Sequence, residues 1–347
     1  MTTDIFLWLT QDGVTNGAIY ALLALALLLV FTVTRVIFVP QGEFITFAAL
    51  SLSLLEAGRT PGTIYILMIA GLAAAAIEAF GALRERAWRR LPRIVLLYVV
   101  LPVAVAALVA WAAPRRFDQW IQALLVLAMV VPLGPILYRI AYQPLANASV
   151  LVLFIVSMAV HYVLTGLSLV FFGGEGLRSR AFWDAKFKLG VVEISAQSIW
   201  VVAASVALIL ALWFLFERSI YGKALRATAM NRVGARLVGI PIVMMGHLSF
   251  LLAAFIGTVS GILIAPITTL YYDTGFLIGL KGFVGAILGG MVSYPLAAVG
   301  AIGVGLLESF SSFWASAFKE VIVFTLIIPM LAWLSLRSHH VEEEEEE

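Results

Sequence analysis

Apolar residues in this chain come in long unbroken runs, neither alternating as in a strand nor striped as on a surface helix. A helix needs roughly 20 apolar residues to cross a bilayer core about 30 Å thick. Six windows meet that length without a charge: 14–34, 94–113, 119–138, 148–172, 196–216 and 242–265. Five more are short, or carry a charge or a proline: 41–57, 63–83 (with Glu78), 275–294 (with Lys281), 296–314 (with Glu308) and 321–336 (with Pro329). The pattern predicts an all-α polytopic membrane protein with eleven candidate crossings. Two of them, 41–57 and 275–294, can equally be half-helices or re-entrant segments.

Composition agrees with this. Hydrophobic residues make up 63% of the 347 and charged residues 12%, against about 45–50% and about 25% in soluble domains. A soluble monomer would expose far too much apolar surface. Cysteine is absent, which excludes a disulfide scaffold and thiolate metal sites. Residues 1–13 hold Asp4 and Asp12 and no basic residue, so the first apolar run reads as a retained anchor, not a cleaved signal peptide.

The net charge of +2 conceals a basic body, because six of the 20 acidic residues are Glu342–Glu347; the rest carries 22 basic and 14 acidic groups. The surplus lies in short connectors and is a topology signal, not a nucleic-acid footprint. Arg84, Arg86, Arg89, Arg90 and Arg93 fill one connector; Arg218, Lys223, Arg226, Arg232 and Arg236 fill another, within 217–241. Both are expected in the cytoplasm, which puts the N-terminus outside and the C-terminus inside. The segment 173–194 then faces outward with mixed charge. The domain reading is one transmembrane domain, 1–336, followed by an acidic cytoplasmic tail, 337–347, expected to be disordered by like-charge repulsion.

Charges within the spans cost at least about 2.5–3.5 kcal/mol each and need a reason. Glu43 sits near the start of its segment, at the interface. Lys281 and Glu308 form either an ion pair that fixes helix register or charges along a pathway. Glu43, Lys281 and Glu308 are the candidates for a translocation pathway. Glu78 is expected to reach the interface or to pair with Arg84. His161 and His247 read as hydrogen-bonded packing residues, with no second His or carboxylate at i±3 or i±4. The spacings Gly257–Gly261 and Gly285–Gly289 allow close helix packing within a bundle, or less commonly dimerisation. The chain has no P-loop, no G-x-S-x-G elbow and no H-E-x-x-H motif, so no catalytic residue, resident metal or ATP site is expected.

The connector 217–241 is rich in alanine and basic residues and closes at Gly239. It reads as one or two short helices lying flat on the membrane surface. Gly222, Ala224, Ala227 and Ala229 would give a low-profile docking face, with Arg226, Arg232 and Arg236 for acidic groups of a partner. Contact with anionic lipid is the simpler alternative.

Several stretches together resemble one family, the permease subunits of branched-chain amino-acid (Liv-type) ABC importers. Asn16, Gly17, Tyr20, Ala21 and Leu22 resemble its N-G-x-x-Y-A-L opening, and Gly42, Glu43 and Phe44 its H-G-E-F segment. Tyr142, Pro144 and Leu145 resemble its Y-R-P-L turn. Residues 222–240 resemble the loop offered to the ATPase, and Gly279 to Glu308 follow the family's order of glycines and charges. Residues 38–41, Phe-Val-Pro-Gln, depart from the family's Asn and His before Gly-Glu. Residues 84–118 look like an insertion that adds two crossings.

The resemblance implies a multi-pass subunit in the bacterial inner membrane. It pairs with a second, usually different, permease and takes solute from a periplasmic binding protein. Two ATPase subunits bind ATP-Mg and dock on the loop around Gly222–Gly239. Membrane lipid is the remaining partner, and nucleic acid is not one. The alternatives from the residues alone are a stand-alone secondary transporter or channel using Glu78, Lys281 and Glu308, and, furthest behind, an intramembrane enzyme.

Overall fold

The computed structural model describes residues 3–189, 192–291, 293–325, 328–329 and 332. In chain order these form α1 (Thr3–Thr34), α2 (Gln41–Glu56), α3 (Thr63–Arg84), α4 (Leu91–Val95), α5 (Leu101–Ala112), α6 (Gln119–Val130), α7 (Leu133–Leu137) and α8 (Val150–Phe172). A two-stranded antiparallel hairpin follows, β1 (Lys186–Leu189) and β2 (Val192–Ser195). Then come α9 (Ala196–Arg218), α10 (Ile220–Met230), α11 (Arg232–Leu237), α12 (Ile242–Ile264), α13 (Thr274–Leu288), α14 (Tyr294–Trp314) and α15 (Lys319–Thr325).

Eight segments among the described residues are long and apolar enough to cross a membrane, so the protein is an all-α polytopic membrane protein. The eleven expected crossings include two that fall short. At 1.5 Å per residue, α2 spans about 24 Å and α13 about 22 Å, less than a hydrocarbon core. Within 84–118 there is one apolar span, Trp88–Arg115. Half of 321–336, and the acidic tail with His339 and His340, lie outside the described residues. The segment 173–194 holds nearly all of the β hairpin, which apolar periodicity could not announce.

Prolines account for the local irregularities. Pro102 has no N–H to give Tyr98, and the helix widens to a π-turn over Leu96–Val100 just before it. A second π-turn over Tyr138–Tyr142 precedes Pro144, where the helix tightens to 3₁₀ and ends.

The chain divides into two compact units, and α1, α9 and α13 each contribute to both. The larger holds 29–182 and 210–277. Its post is α2, of whose 16 residues 14 are buried; a helix apolar on every side belongs in the middle of a bundle. α12 lies along it with Gly261 against the Ile45 carbonyl and Gly257 against Phe44. Phe38, Phe44, Tyr142 and Phe250 pack ring to ring about the start of α2, with Phe38 4.7 Å from Phe250. The smaller unit holds the start of α1, the hairpin, the start of α9, and the chain from Ile278 on. There Gly285 of α13 and Gly289, just past its end, lie against Ala301 and Ala297 of α14. Both small-residue spacings therefore serve packing within one chain.

Candidate functional site

Three places in this fold concentrate chemistry. The first is at the start of α2, in the larger unit. No side chain caps this helix, since Pro40 precedes it, and Glu43 in the first turn faces its positive end. Its side chain is 0% exposed, so it lies inside the bundle and not at the interface. Oε1 lies 2.9 Å from His161 Nδ1 and accepts from Thr165 Oγ1 at 3.2 Å. Those two residues are four apart on α8 and share a face. Oε2 is buried without a hydrogen-bond partner. His161 is thus not a solitary packing histidine. Its carboxylate comes from another helix, where a search along its own helix could not find it. Phe276, at the head of α13, stacks on the imidazole at 4.3 Å.

The same spot is a helix crossing. Gly42 and Gly275 meet backbone to backbone, leaving no room for a side chain on either. The Gly275 N–H donates to Thr46 Oγ1 at 3.0 Å. The two short helices therefore cross at a glycine pair, with a buried acid–imidazole pair beside it.

The second place is in the smaller unit. Lys281 Nζ donates to Glu308 Oε1 at 2.6 Å and to Glu320 Oε1 at 3.0 Å. Tyr20 Oη donates to Glu308 Oε2 at 2.6 Å. Lys281 is 5% exposed and Glu308 9%. The expected pair of Lys281 and Glu308 exists, and it is the centre of a four-residue cluster tying α1, α13, α14 and α15. With all three ionised the cluster carries −1. Tyr20 stood out only as part of the N-G-x-x-Y-A-L resemblance, with nothing to name its partner, and Glu320, at the head of the last window, had no sequence signal beyond its type. Glu78 pairs with Arg139 and not with Arg84; the partner is on a neighbouring segment.

The third place is the connector after α9. Ser219 Oγ caps α10 by accepting the Gly222 N–H at 2.9 Å. Asn231 ends α10, and its Oδ1 caps α11 by accepting the Gly234 N–H at 2.8 Å. Gly239 closes the pair with φ +86°. Gly222 is buried against the backbone of Leu215 and Phe216, so it sets the turn off α9. Ala224, Ala227, Ala229 and Arg232 are half-buried. The protruding apolar residues are Ile220 and Tyr221 at the start of α10 and, from its end onward, Met230 (82% exposed), Val233, Leu237 (82%) and Val238. Lys223, Arg226 and Arg236 are exposed beside them, with Arg226 bound to Glu217 at 2.7 Å. The outward face is made of large apolar side chains rimmed by positive charge, and the alanines form its shoulder.

Comparison with known proteins agrees with this architecture. Residues 99–331 match the family described as branched-chain amino acid transport system / permease component. The connector, the Tyr142 turn and the Lys281–Glu308 stretch fall inside that match; the motifs at 16–44 precede it. Among similar proteins is the high-affinity branched-chain amino acid transport system permease protein LivH of Escherichia coli, 28% identical over 206 residues. Another is the permease protein BraD of Pseudomonas aeruginosa, 26% identical over 200 residues. A third is the probable permease protein LivH of Methanocaldococcus jannaschii, 29% identical over 203. Each alignment covers 56% of this chain, and they span 64–65% of the relatives' own length.

Proposed function

Because this chain belongs to the family of permease components of branched-chain amino acid transport systems, we propose that it is a membrane subunit of an ATP-driven importer for branched-chain or closely related amino acids. The observation that carries the reading is the connector 219–240. It is a capped helix pair between two membrane spans that presents exposed apolar side chains in a basic rim. An exposed apolar patch with a charged rim is the anatomy of a protein interface. The chain has no nucleotide motif, so in this reading ATP-Mg is bound and hydrolysed by two separate ATPase subunits docked there. A second permease completes the pathway, a periplasmic binding protein delivers solute, and the assembly sits in the inner membrane with the connector in the cytoplasm.

Closure of the ATPases then rocks the permeases between outward-open and inward-open states. The crossing of α2 and α13 and the Lys281 cluster are internal joints that keep each permease rigid while it moves. Glu43, closed off on every side, acts in this reading through the crossing and not by touching solute. The 84–118 segment is peripheral and faces lipid.

The test is reconstitution in proteoliposomes with candidate ATPase, permease and binding-protein partners. Solute-loaded binding protein should stimulate ATP hydrolysis. No stimulation with any partner set would count decisively against the reading. The cluster of charged groups around Lys281 favours one competitor, an ion-coupled carrier. Uptake by the pure chain driven by an ion gradient would establish that instead.

A further inference from the structure

We propose that the turn joining α3 to the next span is a binding site for the headgroup of an anionic phospholipid. α3 ends in a tight reversal: the Ala87 N–H donates to the Ala82 carbonyl at 2.8 Å and the Arg86 N–H to the Leu83 carbonyl at 3.1 Å. These are the paired bonds of a left-handed helix stop, whose pivotal position glycine normally takes. Here Arg86 holds it, at φ +54°. A left-handed backbone on a residue that carries a Cβ costs free energy, and the position puts a guanidinium at the apex of the turn. Below it, Gly71 of α3 packs against the Tyr98 carbonyl. The two apolar helices therefore run side by side and reach the membrane boundary together.

Ten residues, 84–93, hold five arginines, all exposed, and one carboxylate. That carboxylate, Glu85, is taken by Arg90 at 3.1 Å. The turn is left with a net charge of +4. Directly adjoining it are exposed apolar side chains, Phe80 (71%), Trp88 (62%) and Leu96 (57%). Tryptophan at such a level marks the headgroup layer. Guanidinium groups match phosphate oxygens in a two-point fork. Both halves of one ligand are thus catered for, acyl chains along the apolar flank and a phosphate above them. An acidic protein would satisfy the arginines alone and leave the flank in hydrocarbon. A purely topological role ends once the helices are inserted, and would leave the folded protein indifferent to lipid type. The proposal is independent of which solute the chain carries.

The experiment uses the full chain reconstituted in vesicles of equal parts phosphatidylcholine and phosphatidylglycerol, re-extracted gently, with retained lipid measured by mass spectrometry. The expected result is enrichment of phosphatidylglycerol that falls in high salt. In the Arg86→Gln/Arg89→Gln/Arg93→Gln variant it should fall by about tenfold or more, as removal of three surface cations beside anionic lipid predicts. The same three positions changed to Lys should keep most of the enrichment. Three results would overturn the proposal. They are undiminished enrichment in the Gln variant, displacement of the lipid by inorganic phosphate (a free-anion site), and loss of a co-purifying acidic protein with lipid unchanged. If the Gln variant does not fold, the salt titration of the natural chain decides, and salt-independent enrichment refutes the site.

Discussion

Replacing His161 with leucine tests whether the acid–imidazole pair holds α2 to α8. The substitution keeps an apolar-sized side chain in place but strips Glu43 of its nearest partner. Glu43 is wholly enclosed, and its Oε2 has no donor. The carboxylate would then keep only Thr165 Oγ1, at 3.2 Å. Breaking a buried pair by removing one member costs about 3–5 kcal/mol, because a charge is left uncompensated. The remaining hydroxyl puts the expected loss near the lower end, about 3 kcal/mol. Glu43→Gln alone removes the charge and keeps an acceptor for both donors, so it should cost about 1 kcal/mol. The double variant should then cost about 2 kcal/mol and not the additive sum of about 4 kcal/mol, a coupling of about 2 kcal/mol. The assay is reversible unfolding of the purified chain in mixed micelles, followed by circular dichroism across a denaturing-detergent titration. A cost below about 1 kcal/mol for His161→Leu, or strict additivity in the double variant, would refute the reasoning.

Three further outcomes are expected. Lys281→Met leaves Glu308 and Glu320 facing each other without a cation and should cost about 3–5 kcal/mol in the same titration, with Lys281→Arg costing clearly less. Gly275→Ala places a methyl against the Gly42 backbone, where neither chain can yield, and should lower stability by about 3 kcal/mol or prevent folding; Gly303→Ala, which meets open space, should be tolerated within about 1 kcal/mol. Met230→Ser with Leu237→Ser should leave unfolding unchanged, since both side chains are exposed, and should abolish solute-stimulated ATP hydrolysis in the reconstituted complex.

What the sequence disclosed and what it withheld divide along physical lines. Long apolar runs announce helices because the bilayer imposes a minimum length, and the long spans lie where those runs lie. The shortness of α2 and α13 was visible as Gly and charge interrupting 41–57 and 275–294, with Pro40 and Pro295 at their edges. The pairing of Lys281 with Glu308 was open to reasoning because each charge in hydrocarbon needs a partner. Which partner is a question of tertiary geometry. Glu43 finds His161 118 residues away, Glu78 finds Arg139 in place of Arg84, and Tyr20 reaches Glu308 across 288 residues. No local spacing encodes such meetings. The connector shows the same limit: its composition pointed to alanine, yet the capping by Ser219 and Asn231 turns Met230 and Leu237 outward.

The account rests on the connector facing the cytoplasm as a docking surface, and the chain offers a clean way to ask. It contains no cysteine, so Leu237→Cys introduces a single thiol on that surface. A membrane-impermeant maleimide should label it in inverted vesicles and not in right-side-out ones, and the ATPase partner should protect it. Labelling from the outside, or labelling indifferent to the ATPase, would contradict the account.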